Sequence, residues 1–216
     1  MKRRDFSIAC GAALAGTALV QTPALAQIKP PQAGTDYVVL KNPAPVEAPT
    51  GKVEVVEFFW YSCPHCNAFE PMFDAWSKLV PKDVMVHRVP IAFRDDFAPQ
   101  QRLFYALEAM GLLDKLHSKV YGAIHVEKQN LSKADEIADW VAKQGVDKAK
   151  FMTQYNSFSV VTKVSRATQL QNAYQIEGVP TIGVAGRFWT DGSMAGSLER
   201  ALQVVEFLVT QVRSGH

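Results

Sequence analysis

From Val53 to Trp60 the chain is apolar except at Glu54 and Glu57, and rich in β-branched and aromatic residues. A run of this length suits a central strand buried on both faces. Beyond it Phe69, Met72, Phe73, Trp76, Leu79 and Val80 recur at helical spacing, which predicts a helix with one apolar stripe. Pro64 falls in its first turn, where a missing N–H is harmless. Pro71 falls inside it and predicts a kink, and Pro81 ends it. Val84 to Val89 then reads as a further strand. Before this unit, Tyr37 to Leu40 reads as a short strand, followed by a loop marked by Pro43, Pro45, Pro49 and Gly51.

From about Ala98 to Tyr174 the pattern is helical throughout. Leu103, Leu107 and Met110 share one face, and Leu116, Val120 and Ile124 another. Ser132 with Asp135 suggests a capping box opening a third helix through Ile137, Trp140 and Val141, stopped by Gly145. Asp147 is a candidate cap for a fourth helix, and Val160, Val164, Ala167 and Gln171 mark a fifth. Strand character returns at Thr181 to Val184 and from Arg187 to Trp189, with Gly186 in the turn. A last helix carries Leu198, Ala201, Leu202, Val205, Leu208, Val209 and Val212. The pattern is that of an α/β sheet interrupted by a helical insert.

The N-terminus reads differently. Lys2, Arg3 and Arg4 precede an uncharged, mostly apolar stretch from Ile8 to Val20, and Ala24-Leu25-Ala26 supplies a small-x-small cleavage site. The apolar stretch is too short for a good membrane span, so residues 1–26 are expected to be a signal peptide. Arg3-Arg4-Asp5-Phe6 is similar to a twin-arginine export signal, which leaves the export route open between that pathway and the general secretory one. Cys10 is a poor lipidation site because almost no apolar segment precedes it. Without this segment the 23 basic and 21 acidic residues fall to 20 of each. A balanced charge with no basic stripe argues against nucleic acid or an anionic membrane surface as partner.

Cys63 and Cys66 are the only cysteines beyond residue 26. A disulfide between them would close a tiny loop, and the chain-entropy gain from a bridge shrinks with the loop. The pair therefore reads as chemical rather than structural. A cysteine at a helix start meets unpaired backbone N–H groups and the positive end of the dipole, both of which favour thiolate. Cys63 is placed for this, with Cys66 one turn on and deeper, and a protonated His65 would add positive charge between them. Zinc ribbons share the spacing, but a structural zinc site needs four ligands. No second cysteine pair exists, and His87, His117, His125 and His216 are scattered and read as surface or packing residues. No metal and no cofactor is called for.

The segment Glu57-Phe58-Phe59-Trp60-Tyr61-Ser62-Cys63-Pro64-His65-Cys66, followed by Phe69-Glu70, resembles the active-site segment of the DsbA family of periplasmic oxidases. Gly178-Val179-Pro180-Thr181 before the last hairpin extends the likeness. It implies a thioredoxin fold with an inserted all-helical domain: residues 27–97 and 175–216 form the thioredoxin domain and 98–174 the insert. It also implies a catalytic set of Cys63, Cys66, His65, Pro64 and Glu57, with Glu57 a buried acid relaying protons to or from Cys66. Val179 and a cis Pro180 would face the cysteines and help hold an incoming peptide. Glu70 matches a family acid by position but is expected near the surface with a minor electrostatic role. The family's basic partner for the buried acid cannot be placed among Val86-His87-Arg88-Val89.

The activity so implied is oxidation of newly exported, reduced polypeptides in the periplasm, by a monomer that a DsbB-like membrane quinone reductase recharges. Two alternatives stay open. One keeps the fold and reverses the electron flow, as a reductase or isomerase, although residues 27–35 are too short for a dimerisation domain. The other is a peptide-binding holdase in which the cysteines are incidental.

Overall fold

The computed structural model describes residues 29–215. The expected signal peptide, Cys10 included, and His216 lie outside the described residues. The elements are β1 (Val38–Val39), β2 (Val53–Phe59), α1 (Pro64–Ser77), β3 (Val84–Pro90), α2 (Ala98–Ala109), α3 (Leu113–His125), α4 (Ala134–Lys143), α5 (Lys148–Tyr155), α6 (Phe158–Ala173), β4 (Thr181–Val184), β5 (Phe188–Asp191), α7 (Gly192–Ala195) and α8 (Leu198–Arg213). The strands form one sheet in the order β1-β5-β4-β2-β3. β2 runs parallel to β3 and antiparallel to β4, which continues antiparallel into β5 and β1. Among the described residues no helix is long and apolar enough to cross a membrane.

Every residue of β2 is buried, as its apolar run requires of a strand covered on both faces. Its alternating side chains feed two cores. Val53 and Val55 pack with Phe69 and Phe73 of α1 and with Ala201, Val205 and Leu208 of α8. Val56 and Phe58 point the other way, into a larger core with Leu103 and Leu107 of α2, Leu116 and Val120 of α3, and Ile137 of α4. Helices α2 to α6 all stand between β3 and β4 in the chain, so they lie in the sequence where the sheet is interrupted. Both acids of β2 are buried with the rest of the strand; Glu54 accepts the Glu47 N–H at 2.7 Å.

Three local expectations shift. Helix α1 stops at Ser77, before Leu79 and Val80, and Leu79 is 83% exposed. Pro81 disfavours the helical conformation in the residue before it, and Leu79 N–H already turns back to the Trp76 carbonyl at 2.9 Å. The cap of α4 also falls one residue later than Ser132 with Asp135. Glu136, not Asp135, reaches back, accepting the N–H of Lys133 at 3.2 Å and of Ser132 at 3.3 Å, because it occupies the third helical position after Lys133. The last strand is Phe188–Asp191 rather than 187–189, and α7 follows it with no apolar stripe to announce it. Asp147 does cap α5, accepting from Lys150 N at 2.8 Å.

The β4–β5 turn passes through Ala185 and Gly186 at φ of 52° and 66°. A Cβ at Gly186 would stand 2.4 Å from the Ala44 carbonyl oxygen, and one at Gly183 in β4 would stand 2.4 Å from the Tyr174 ring and 2.8 Å from Val56. Tyr174 is fixed there by stacking edge-on against Phe58 and by accepting the Gly186 N–H at 2.9 Å. Its ring cannot retreat without losing both contacts. Gly183→Ala is therefore expected to destabilise the protein by about 1–3 kcal/mol through overpacking, seen as a lower urea midpoint with an unchanged slope.

Candidate active site

The sulfurs lie where β2 gives way to α1. Cys63 occupies the N-cap position with extended backbone, Pro64 is the first helical residue, and Asn67 N–H donates to the Cys63 carbonyl at 3.1 Å. Both cysteines are free and buried, Cys66 wholly so and Cys63 with 8% exposed. The loop carrying them is tied to the helical side of the molecule. Trp60 stacks on Phe97 at 3.7 Å between ring centroids, and Gln100 of α2 donates to the Ser62 hydroxyl at 2.7 Å.

This placement separates the two thiols. A hydrogen bond from Cys66, backbone N–H groups of Cys66 and His65, and the His65 charge pull Cys63 down to about 6 against the opposing effect of burial. Burial drives Cys66 far above the ordinary thiol range, reinforced by its bond to Cys63 and by the Cys63 charge. One sulfur is thus a thiolate at neutral pH and the other holds its proton. On the open side, the Cys63 thiol lies 3.5 Å from the Val179 carbonyl, and the Val179–Pro180 bond is cis. An open cleft of about 360 Å³ runs past them, lined by His65, Gly178, Val179, Pro180, Asp191 and Ser193 among others.

On the buried side lies a cluster of charge. β2 and β3 pair so that Glu57 stands opposite Arg88. Arg88 Nε donates to Glu57 Oε2 and its Nη2 to Glu70 Oε2, both at 3.1 Å, while the guanidinium lies over the Phe73 ring. Burial pushes Glu57 up to about 8, against the pull of Arg88 and with help from the Glu70 charge. Arg88 is therefore the basic partner that could not be placed from sequence; the equal strand offset that pairs Val53 with Val84 would have pointed to it. Glu70 is a correction. It is 4% exposed, not near the surface, because α1 turns it inward to share Arg88 and to accept a hydrogen bond from Ser118 at 3.4 Å. His117 is a second correction in kind: it joins this cluster, with Nε2 3.3 Å from Glu70 and Nδ1 2.8 Å from the Tyr61 hydroxyl. Its position beside the apolar stripe of α3 was the available signal.

A family model described as a DSBA-like thioredoxin domain matches residues 82–203. The thiol:disulfide interchange protein DsbA of Burkholderia cepacia is 48% identical over 191 residues, covering 88% of this chain and 90% of its own. The chain belongs to the DsbA family. The Pseudomonas aeruginosa protein of the same name is 43% identical over 182 residues, 84% of this chain and 86% of its own. The crystal structure of Pseudomonas aeruginosa DsbA superposes with a TM-score of 0.82 at 42% identity, over 85% of this chain and 95% of that one. A DsbA oxidoreductase structure from Xylella fastidiosa gives 0.79 at 32% identity, over 85% and 98%. The fold is thus the thioredoxin fold of the DsbA family, and the protein is a thiol:disulfide oxidoreductase.

Among the described residues Arg88 is the one cation bonded to both Glu57 and Glu70, so its removal has a defined consequence. Arg88→Met keeps the aliphatic volume over Phe73 but leaves Glu57 and Glu70 without their counter-charge. The loss expected at neutral pH is about 3–5 kcal/mol, the size seen when one member of a buried ion pair is deleted. Beside Arg88 the Glu57 carboxyl keeps its proton up to about pH 8, and without Arg88 it keeps it higher still, so the Glu57 part of the deficit grows as pH rises above 8. Denaturant unfolding of wild type and variant at pH 7 and pH 9 measures both effects.

Proposed function

We propose that this family member is a periplasmic dithiol oxidase that donates a Cys63–Cys66 disulfide to newly exported, reduced polypeptides. The observation that carries the reading is the contrast between the two thiols: Cys63 lowered to about 6 and Cys66 raised. The disulfide has no ionisable group, so whatever stabilises the Cys63 thiolate stabilises only the reduced form and makes the oxidised form a stronger oxidant.

The step begins with a client thiolate attacking the Cys63 sulfur. The client–Cys63 bond forms, the Cys63–Cys66 bond breaks, and the electron pair leaves on Cys66. Because a Cys66 thiolate is so disfavoured where it is buried, that sulfur needs a proton as it leaves. Glu57 supplies it: the carboxyl titrates near neutrality and its charge is felt at Cys66. A second client thiolate then attacks the client's own bridging sulfur, closing the client disulfide and releasing Cys63 as its favoured thiolate. The client loses two electrons and the protein gains them. Pro64 starts the helix whose N–H groups face Cys63, and His65 adds charge. Val179 and Pro180 form the wall of the cleft along which an extended client chain lies. The protein works as a monomer, and a membrane quinone reductase similar to DsbB returns it to the disulfide form.

In a direct test, oxidised protein is mixed with a reduced, unfolded client and the products are separated without reductant. Cys63→Ser should leave no oxidase activity. Cys66→Ser, activated as a mixed disulfide on Cys63, should exchange that group for a client carrying a single cysteine and accumulate the covalent adduct, because no Cys66 thiol is present to reverse it. Client oxidation by Cys63→Ser, or an adduct that forms through Cys66 in preference to Cys63, would contradict the assignment.

A further inference from the structure

Beyond the Glu57–Arg88 pair, the buried polar groups continue in a line that the reaction as written does not use. From Glu57 the line passes through Arg88 to Glu70, then to His117, and from His117 to the Tyr61 hydroxyl, each pair within 2.8–3.3 Å. It ends beside the cysteine loop, since Tyr61 is two residues from Cys63 and its own carbonyl accepts the His125 Nε2–H at 2.8 Å. His117 is 6% exposed and is boxed edge-on by Phe59, Phe104 and Tyr121. An imidazole in a box of rings has few places to find partners; this one hydrogen-bonds Tyr61 through Nδ1 and brings Nε2 within 3.3 Å of Glu70.

The partners fix its tautomer. Burial holds His117 below the ordinary imidazole range, so it is neutral at pH 7. With Nδ1 accepting the Tyr61 O–H, the proton sits on Nε2, which lies 3.3 Å from the Glu70 carboxylate as a close charge–dipole contact without forming a hydrogen bond. We propose that His117 is a positioning residue of the redox site, holding Glu70 and Tyr61 in one buried line with Arg88 so that Glu57 stays able to exchange its proton with Cys66.

The sign follows from sharing. Arg88 divides its guanidinium between Glu57 and Glu70. The N–H of His117, 3.3 Å from Glu70, offsets part of the Glu70 charge and leaves more of Arg88 for Glu57. Without His117, Glu70 draws Arg88 toward itself, and Glu57 keeps its proton to higher pH. Other charged or titratable groups are few and near: Asp74 of α1 is felt by both His117 and Arg88, and the Tyr61 and Tyr121 phenols are held protonated by burial. Glu57 Oε1 has no hydrogen-bond partner among the described residues, which leaves that oxygen available for the proton.

The proposal rests on Glu57 serving as the proton relay, and the test separates the two. The full-length protein is prepared with Cys63 joined to glutathione, and closure of the Cys63–Cys66 disulfide is followed across pH by release of glutathione. In closure Cys66 gives its proton to Glu57, its sulfur attacks Cys63, and glutathione leaves as thiolate. The rate should rise through a limb set by ionised Glu57, near pH 8. His117→Phe keeps the ring packing but not the partners, and should move that limb up by about one pH unit. His117→Gln, whose amide can donate to Glu70 and accept from Tyr61, should restore it toward wild type. The absorbance titration of the Cys63 thiolate should stay near pH 6 in both variants, which damage to the active-site turn would not allow. If the limb survives in Glu57→Gln, the relay itself is wrong. If it vanishes there but does not move in His117→Phe, or moves equally in both His117 variants, the role given to His117 is overturned while the relay stands.

Discussion

The end of a fully buried strand and the start of a helix meet at Cys63, and both the reactivity and much of the packing depend on that junction. β2 must be apolar on both faces to lie between two layers of helix, and this fixes where it stops and α1 begins. The unpaired N–H groups of the first turn then face the first sulfur, while the second, one turn along, is carried into the core. The same backbone step lowers one thiol and raises the other. Neither effect needs a metal or a cofactor; both follow from where hydrogen-bond donors are left over and where water is excluded.

Cys66 is wholly enclosed, and the acid proposed to exchange its proton is enclosed with it. An isolated ionised carboxylate in such a place would be prohibitively unfavourable. Arg88, paired in register with Glu57, keeps the acid near neutrality in its titration instead of far above it. Glu70 and His117 extend the arrangement across α1 and α3, so that three elements converge on one group. The cluster is enclosed with Cys66, while Cys63 faces Val179 beside the cleft that Val179 and Pro180 line.

The central strand, the cysteine pair and the interruption of the sheet by helices were legible because each has a strong local signature: a continuous apolar run, a Cys-x-x-Cys at a helix start, and stripes at helical spacing. Glu57 stood out as an acid inside an apolar strand. Arg88 did not, because its meaning lies in register with β2 and not in its own neighbours. Glu70 was expected near the surface, yet α1 turns it inward to Arg88. His117 looked like one of several scattered histidines, and only the approach of α3 to the end of β2 gives it two partners. What sequence hid was thus pairing between distant segments of polar residues, for which hydrophobic periodicity carries no signal.

A Cys63 thiolate that stabilises the reduced protein leaves its mark on the pH dependence of the reduction potential. Equilibration with glutathione buffers of known composition, followed by thiol trapping, gives the potential at each pH. While both thiols are protonated, two protons accompany two electrons and the potential should fall by about 59 mV per pH unit; once Cys63 is a thiolate one proton suffices and the slope should halve to about 30 mV. The structure places that break near pH 6. A single steep slope continuing to pH 8 would mean that Cys63 remains a thiol, and the stabilisation from which the oxidising power is derived would not exist.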